Sequence, residues 1–324
     1  MLSFSGPYQE KRLNHKLPRP LRGVITAMVT PLDQDLNLDQ KGLERLIEHL
    51  ITGGVHGIFI LGTTGEAPNL PYNVRSELIE QSCRLVGSRV PVIVGITDTS
   101  YRDAIRMAAK AYDCGALAVV AAPPYYFQVG QTDLLQYFKQ MASDSPLPLF
   151  LYNAPLNTRL WIEVATVIEA AAEPNIIGLK DSGLNMGYFH AVREGLRSLP
   201  DFSLLVGPDD LLAEAVLLGA HGGMAGGSNV NPRLFVELYE AAAEQDVKRV
   251  ATLHQQAIQF DNAVYRAAED PHNPLRGLKA ALSVMGICGA ALTPPLRPIS
   301  TGERDRIQQY LRGVESTSAA YPSR

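Results

Sequence analysis

From Gly23 onward, short apolar runs rich in Val, Ile, Leu and Ala alternate with longer stretches whose apolar residues fall three or four apart. The runs are "GVITAMVTP" (23–31), "GIFILG" (57–62), "VPVIVGITD" (90–98), "ALAVVAAP" (116–123), "LPLFLYNAP" (147–155), "IIGLKDSG" (176–183), "FSLLVGP" (202–208) and "GGMAGG" (222–227). Between them, stretches such as "DQKGLERLIEHLITGG" and "SYRDAIRMAAKAYDCG" carry helical spacing and end in glycine. Near-continuous apolar strands separated by helices predict parallel strands covered on both faces. Eight such units in about 225 residues match the size of a (β/α)8 barrel. A doubly wound open sheet would have fewer strands and a glycine-rich turn after the first, where this chain reads "TPLDQ". The pattern predicts an α/β fold: a (β/α)8 TIM barrel over residues 21–245, then a C-terminal helical segment over 246–324.

Composition narrows the function classes. At 324 residues, with 46% hydrophobic and 19% charged positions, the chain has the makings of a sizeable core. A net charge of -4 argues against a nucleic-acid partner, which would need a basic surface. Three cysteines, Cys83, Cys114 and Cys288, lack metal-site spacing and fit a reducing, cytoplasmic compartment. No apolar run is long enough to span a bilayer. The first 20 residues lack the apolar core of a secretory signal and read as an arm or disordered leader.

The candidate chemistry starts from one lysine. Of eight lysines, two lie in the N-terminal tail and five in stretches that read as amphipathic helices; only Lys180 interrupts a buried strand. It falls near the end of the sixth strand, the barrel rim that carries active sites. Alternation along the strand turns Leu179 and Asp181 outward if Lys180 faces in, so the adjacent aspartate need not pair with it. Desolvation penalises an ammonium there, and a free amine is what attack on a carbonyl requires. The competing reading is a lysine snorkelling to the rim or paired with a distant acid.

Two further strand ends bear on this. After strand two comes "GTTGEA" (62–67), whose hydroxyls on Thr63 and Thr64 and flanking glycines can converge on a carboxylate. Strand five ends in "YNAP", placing Tyr152 on the same rim, where a phenol can shuttle protons or simply cap the core. "GGMAGG" is not a dinucleotide fingerprint, although a phosphate cradle is open to it. The seven histidines form no metal motif, and no metal or other cofactor is expected.

Lys180 on strand six, "GTTGE" after strand two and "YNAP" after strand five together resemble the family of dihydrodipicolinate synthase, N-acetylneuraminate lyase and the 2-keto-3-deoxy sugar acid aldolases. The resemblance runs from about Leu21 to Ser300. It implies a barrel with a C-terminal helical segment, assembled as a dimer of dimers. It also implies a class I mechanism in which lysine forms a Schiff base with pyruvate or with a 2-oxo acid that releases it. Carried over, Lys180 is the Schiff-base lysine and Tyr152 the proton relay. Thr64 holds the pyruvate carboxylate, and Thr63 joins the hydroxyl relay. Tyr126, in "PPYYFQ", matches a residue that reaches into a neighbouring subunit's site. Met224 matches a position whose backbone carbonyl lies beside the keto acid.

One segment departs from the synthase branch of this family. There, an arginine five residues after the tyrosine receives the carboxylate of the incoming semialdehyde. Here the segment reads "YNAPLNTRL", so that position is Asn157 and the nearest cation is Arg159. Asparagine offers neutral hydrogen bonds, not a charged bidentate fork. The lysine context "KDSG" also differs from the synthase "KEA" pattern. The expectation is an aldolase or lyase acting on another 2-oxo acid. The alternatives are 4-hydroxy-tetrahydrodipicolinate synthase, a Schiff-base dehydratase or decarboxylase, and a barrel that binds a 2-oxo acid without turnover.

Overall fold

A computed structural model of the chain describes residues 17–267 and 274–320. Residues 1–16, most of the expected arm, therefore lie outside the described residues.

Eight parallel strands close into one barrel in sequence order. They are β1 (Gly23–Ala27), β2 (Gly57–Ile60), β3 (Val92–Gly95), β4 (Ala118–Ala121), β5 (Leu149–Asn153), β6 (Ile176–Asp181), β7 (Ser203–Val206) and β8 (Gly222–Gly223). Each is shorter than its apolar run, because the run continues into buried loop at the barrel mouth: Met28 to Pro31 beyond β1 are buried but not paired as strand. β8 is only two residues long, yet it closes the barrel against β7 and β1.

The helices around the barrel are α1 (Gln40–Thr52), α2 (Tyr72–Val86), α3 (Tyr101–Cys114), α4 (Gln131–Asp144), α5 (Pro155–Thr158), α6 (Val164–Ala170), α7 (Met186–Gly195), α8 (Leu212–Leu217) and α9 (Pro232–Ala243). Their ends follow local chemistry. Asp39 caps α1 by accepting from the Gly42 N–H, and Ser100 caps α3 by accepting from Asp103. Leu43, Leu46, Ile47 and Leu50 form the buried stripe of α1 at the spacing a core-facing helix needs.

Strand alternation divides the apolar side chains into two groups. Val24, Ile58, Val94, Leu151 and Leu179 join the layer between barrel and helices. Ile25, Phe59, Ile93, Val120, Phe150, Tyr152, Ile177, Leu205 and Met224 fill the barrel itself. Each fully buried aliphatic or aromatic side chain contributes roughly 1.5–3 kcal/mol, so the interior is packed rather than hollow. Leu17 and Leu21 pack against this inner group, and the Leu21 N–H donates to Ser203 Oγ at 2.9 Å.

After the barrel come α10 (Val247–Phe260), a π-helical turn over Asp261–Tyr265, α11 (Leu275–Val284) and α12 (Thr301–Ala320). The π-turn presents Tyr265 to the barrel mouth, as the contacts described below show.

Candidate active site

Tyr152 and Lys180 are register partners on neighbouring strands, so their side chains leave the sheet on the same face. That face is the barrel interior: Lys180 Nζ lies 4.4 Å from the Tyr152 ring centre and 5.0 Å from that of Phe59. Lys180 is 4% exposed, and among the described residues it forms no ion pair. Cation–π contact offers an ammonium only about 0.5–2 kcal/mol, little against the loss of water. Asp181 faces the other way, as alternation predicts. Its Oδ1 accepts from Asn153 Nδ2 at 2.8 Å and from the Gly183 N–H at 2.9 Å. Burial raises the Asp181 pKa against those two bonds, and the residue belongs to the wall.

The Tyr152 hydroxyl lies 3.3 Å from Thr63 Oγ1, which joins the end of β5 to the loop after β2. Burial acts to raise the phenol pKa, but the charge of Lys180 and hydrogen bonds with Thr63, Ser182 and Lys180 outweigh it, and the net shift is downward. A phenol of this kind gives up its proton more readily than an isolated one.

Ser182 is a member of this group that the sequence reading passed over. It stands two residues beyond Lys180, the spacing that puts both on one face, so the signal was available. Gly207, after β7, gives it room: a Cβ there would overlap Ser182 Oγ and lie 3.3 Å from Lys180 Cε.

Thr64 is half-buried beside Gly226, where an added Cβ would lie 3.7 Å from the Thr64 methyl and 3.0 Å from the Tyr265 hydroxyl. Tyr265 in turn donates to Asp209 Oδ2, which also accepts from the Gly227 N–H at 2.9 Å. Asp209 is half-buried as a residue, but its Oδ1 is enclosed without a hydrogen-bond partner among the described residues. Burial pushes the Asp209 carboxyl up to about 6, against the bonds from Tyr265 and Gly227. Neither Asp209 nor Tyr265 stood out in the sequence, since only the tertiary fold carries the C-terminal segment to this rim.

The structure thus brings Lys180, Tyr152 and Thr63 together, with Thr64 on the same loop. Met224 is fully buried just beyond β8, its N–H donating to Val206 O at 2.7 Å. Two expected site residues are exposed. Asn157 is exposed on α5, and Arg159 is exposed at its end in the left-handed conformation. Tyr126 is 75% exposed in the loop after β4, edge to face with Phe127, which is 74% exposed.

A buried amine among aromatic rings, with the hydrogen-bonded hydroxyls of Tyr152 and Thr63 beside it in a closed parallel barrel, is the setting of a class I carbon–carbon lyase that works through a Schiff base with pyruvate or a related 2-oxo acid, and the family match makes the chain one. The Dihydrodipicolinate synthetase family matches residues 20–313, and the chain belongs to that family.

A 4-hydroxy-tetrahydrodipicolinate synthase from an Azoarcus species is 34% identical over 293 residues, covering 90% of this chain and 98% of the relative. Among solved structures, dihydrodipicolinate synthase from Bacteroides thetaiotaomicron has a TM-score of 0.88 at 45% identity, covering 91% of this chain and 99% of that one. A prophage protein of the same family from Escherichia coli, solved with pyruvate, has a TM-score of 0.85 at 30% identity and covers 91% and 98%. No described helix is long and apolar enough to cross a membrane.

Proposed function

We propose that this lyase makes and breaks the carbon–carbon bond next to C3 of a 2-oxo acid whose distal part is neutral, such as a 2-keto-3-deoxy sugar acid. The observation that carries the reading is Lys180 Nζ against the Tyr152 ring, whose hydroxyl meets Thr63, and the neutral distal part is inferred from Asn157 standing where the synthase branch carries arginine. In this reading the Lys180 amine adds to the C2 carbonyl, and loss of water gives an iminium. Tyr152, relayed through Thr63, takes the proton from the C4 hydroxyl as the C3–C4 bond breaks. The bonding electrons flow into the iminium, the aldehyde leaves, and the enamine regains a proton at C3. Hydrolysis then frees pyruvate and Lys180. Thr64 holds the carboxylate, the Met224 carbonyl lies beside the keto acid, and Ser182 supports the Tyr152 hydroxyl. The three free thiols fit a cytoplasmic setting.

Coupling released pyruvate to lactate dehydrogenase, across sugar acids, N-acetylneuraminate and 4-hydroxy-2-oxo acids, tests the reading. Cleavage of at least one of these is expected to outpace condensation of pyruvate with aspartate semialdehyde by on the order of 10²-fold, the worth of a charge-assisted bidentate contact. The names of the curated relatives favour the second reading, 4-hydroxy-tetrahydrodipicolinate synthase. Efficient condensation with aspartate semialdehyde would establish it and show that another cation, such as Arg159, replaces the missing arginine. Asn157→Arg is the converse experiment: unchanged use of the semialdehyde would mean that position 157 does not set specificity.

The chain is further proposed to work as a homo-oligomer, a dimer of dimers, with Tyr126 completing a neighbour's site. The exposed Tyr126–Phe127 pair supports this, because two such rings in water leave apolar area uncovered. Light scattering at micromolar concentration is expected to report a dimer or tetramer; a fully active monomer would refute the shared site.

A further inference from the structure

A second lysine, buried more completely than the first, lies behind the threonine loop. Lys279, in α11, is wholly enclosed, and its Nζ pairs with Glu66 Oε1. The same ammonium donates to Ala291 O at 2.6 Å. Glu66 Oε2 accepts from both the N–H and the Oγ1 of Thr293, each at 2.7 Å. Helix α11 and the loop after it therefore converge on one carboxylate of the "GTTGEA" loop.

That carboxylate sits at a mechanically decisive point. Glu66 holds φ 57° and ψ 23°, and Leu61, at the other end of the loop, holds φ 57°. Residues other than glycine keep such left-handed angles only where their surroundings enforce them. Between the two, the Gly65 N–H donates to Gly62 O at 3.1 Å and the Glu66 N–H to Thr63 O at 3.0 Å. Thr63 and Glu66 are thus opposite ends of one hydrogen-bonded turn, and a rotation at Glu66 moves both threonines.

A pair of fully buried charges is a poor source of stability. Desolvation offsets most of the attraction, and an apolar pair of like volume often serves as well. What such a pair does supply is geometry, because each charge tolerates few other arrangements. Burial lowers the Lys279 pKa, while the Glu66 charge and hydrogen bond oppose that shift.

We propose that Glu66, Lys279 and Thr293 are positioning residues that hold the threonine turn against Lys180. The C-terminal segment then sets affinity for the 2-oxo acid carboxylate without touching it. The inference rests on the proposed roles of Thr63 and Thr64.

The test measures the pyruvate concentration that half-saturates borohydride trapping at Lys180, alongside thermal melting. Thr293→Val removes one hydroxyl donor from Glu66, and Thr293→Ser keeps it. The double variant Glu66→Gln with Lys279→Met replaces the charged pair by neutral groups of similar volume and strands no charge. Half-saturation is expected to rise about tenfold in Thr293→Val and in the double variant, the scale of one misplaced hydrogen bond to a charged group. Thr293→Ser should bind like the unaltered protein. The double variant should melt within a few degrees of it. Variants that fold normally and saturate like the unaltered protein would overturn the positioning role alone. So would a large loss of melting temperature with half-saturation unchanged, which marks a purely structural pair. Absence of trapping in the unaltered protein would instead remove the Lys180 assignment, and this inference with it.

Discussion

Lys180→Arg is expected to abolish both turnover and reductive trapping. The covalent step needs an amine with a free lone pair, and a guanidinium stays protonated under any condition in which the protein folds. Borohydride with pyruvate should add one reduced adduct to the unaltered chain, on the peptide containing Lys180, and none to the variant. The surroundings of Lys180 support the proposal: it is 4% exposed, borders two aromatic rings and, among the described residues, has no carboxylate paired with it. Lys279, the other deeply buried lysine among the described residues, serves as an internal control, because its Nζ is engaged by the Glu66 carboxylate and donates to Ala291 O. An adduct on Lys279, or none at saturating pyruvate, would overturn the assignment. Lys180→Met, which has no bulky head group, separates lost chemistry from lost packing: it should melt close to the unaltered protein yet remain inactive.

Tyr152→Phe is expected to lower turnover by about 10²–10⁴-fold, the usual contribution of a positioned acid–base group. The ring stays among Phe59, Phe150 and Met224, so stability and pyruvate binding should change little. Only the hydroxyl is lost, and with it the 3.3 Å contact to Thr63. Steady-state kinetics on the best substrate from the cleavage panel give the measurement, with single-turnover trapping to show that the iminium still forms. Near-normal turnover would mean that the proton travels by another path. Ser182 is the first alternative to examine, because it shares the hydroxyl cluster.

Much of this site was legible before folding because its signals are local. A lysine within a buried run, a tyrosine at the end of the preceding strand and paired threonines after the second are all read within single strand–loop units. Alternation put Lys180 and Asp181 on opposite faces, since period two is a property of any extended chain, and the structure turned Lys180 inward. Ser182 obeyed the same rule and could have been named by it. Asn157 and Tyr126 were legible as departures or matches, but their surroundings depend on what else occupies the rim.

The sequence by itself determined the eight-unit barrel, its helical sequel and which side chains of each strand share a face. Those follow from hydrophobic periodicity and turn residues, which act over a few positions. Only the tertiary structure decided what lies behind the catalytic rim. Lys279 reads as an ordinary helix lysine, yet it is buried completely because Glu66 comes to meet it. Thr293 and Glu66 are 227 residues apart, and Tyr265 reaches Asp209 across 56. No periodic pattern encodes such pairs. A buried charge requires a partner, but its identity depends on which segments the closed barrel brings into contact.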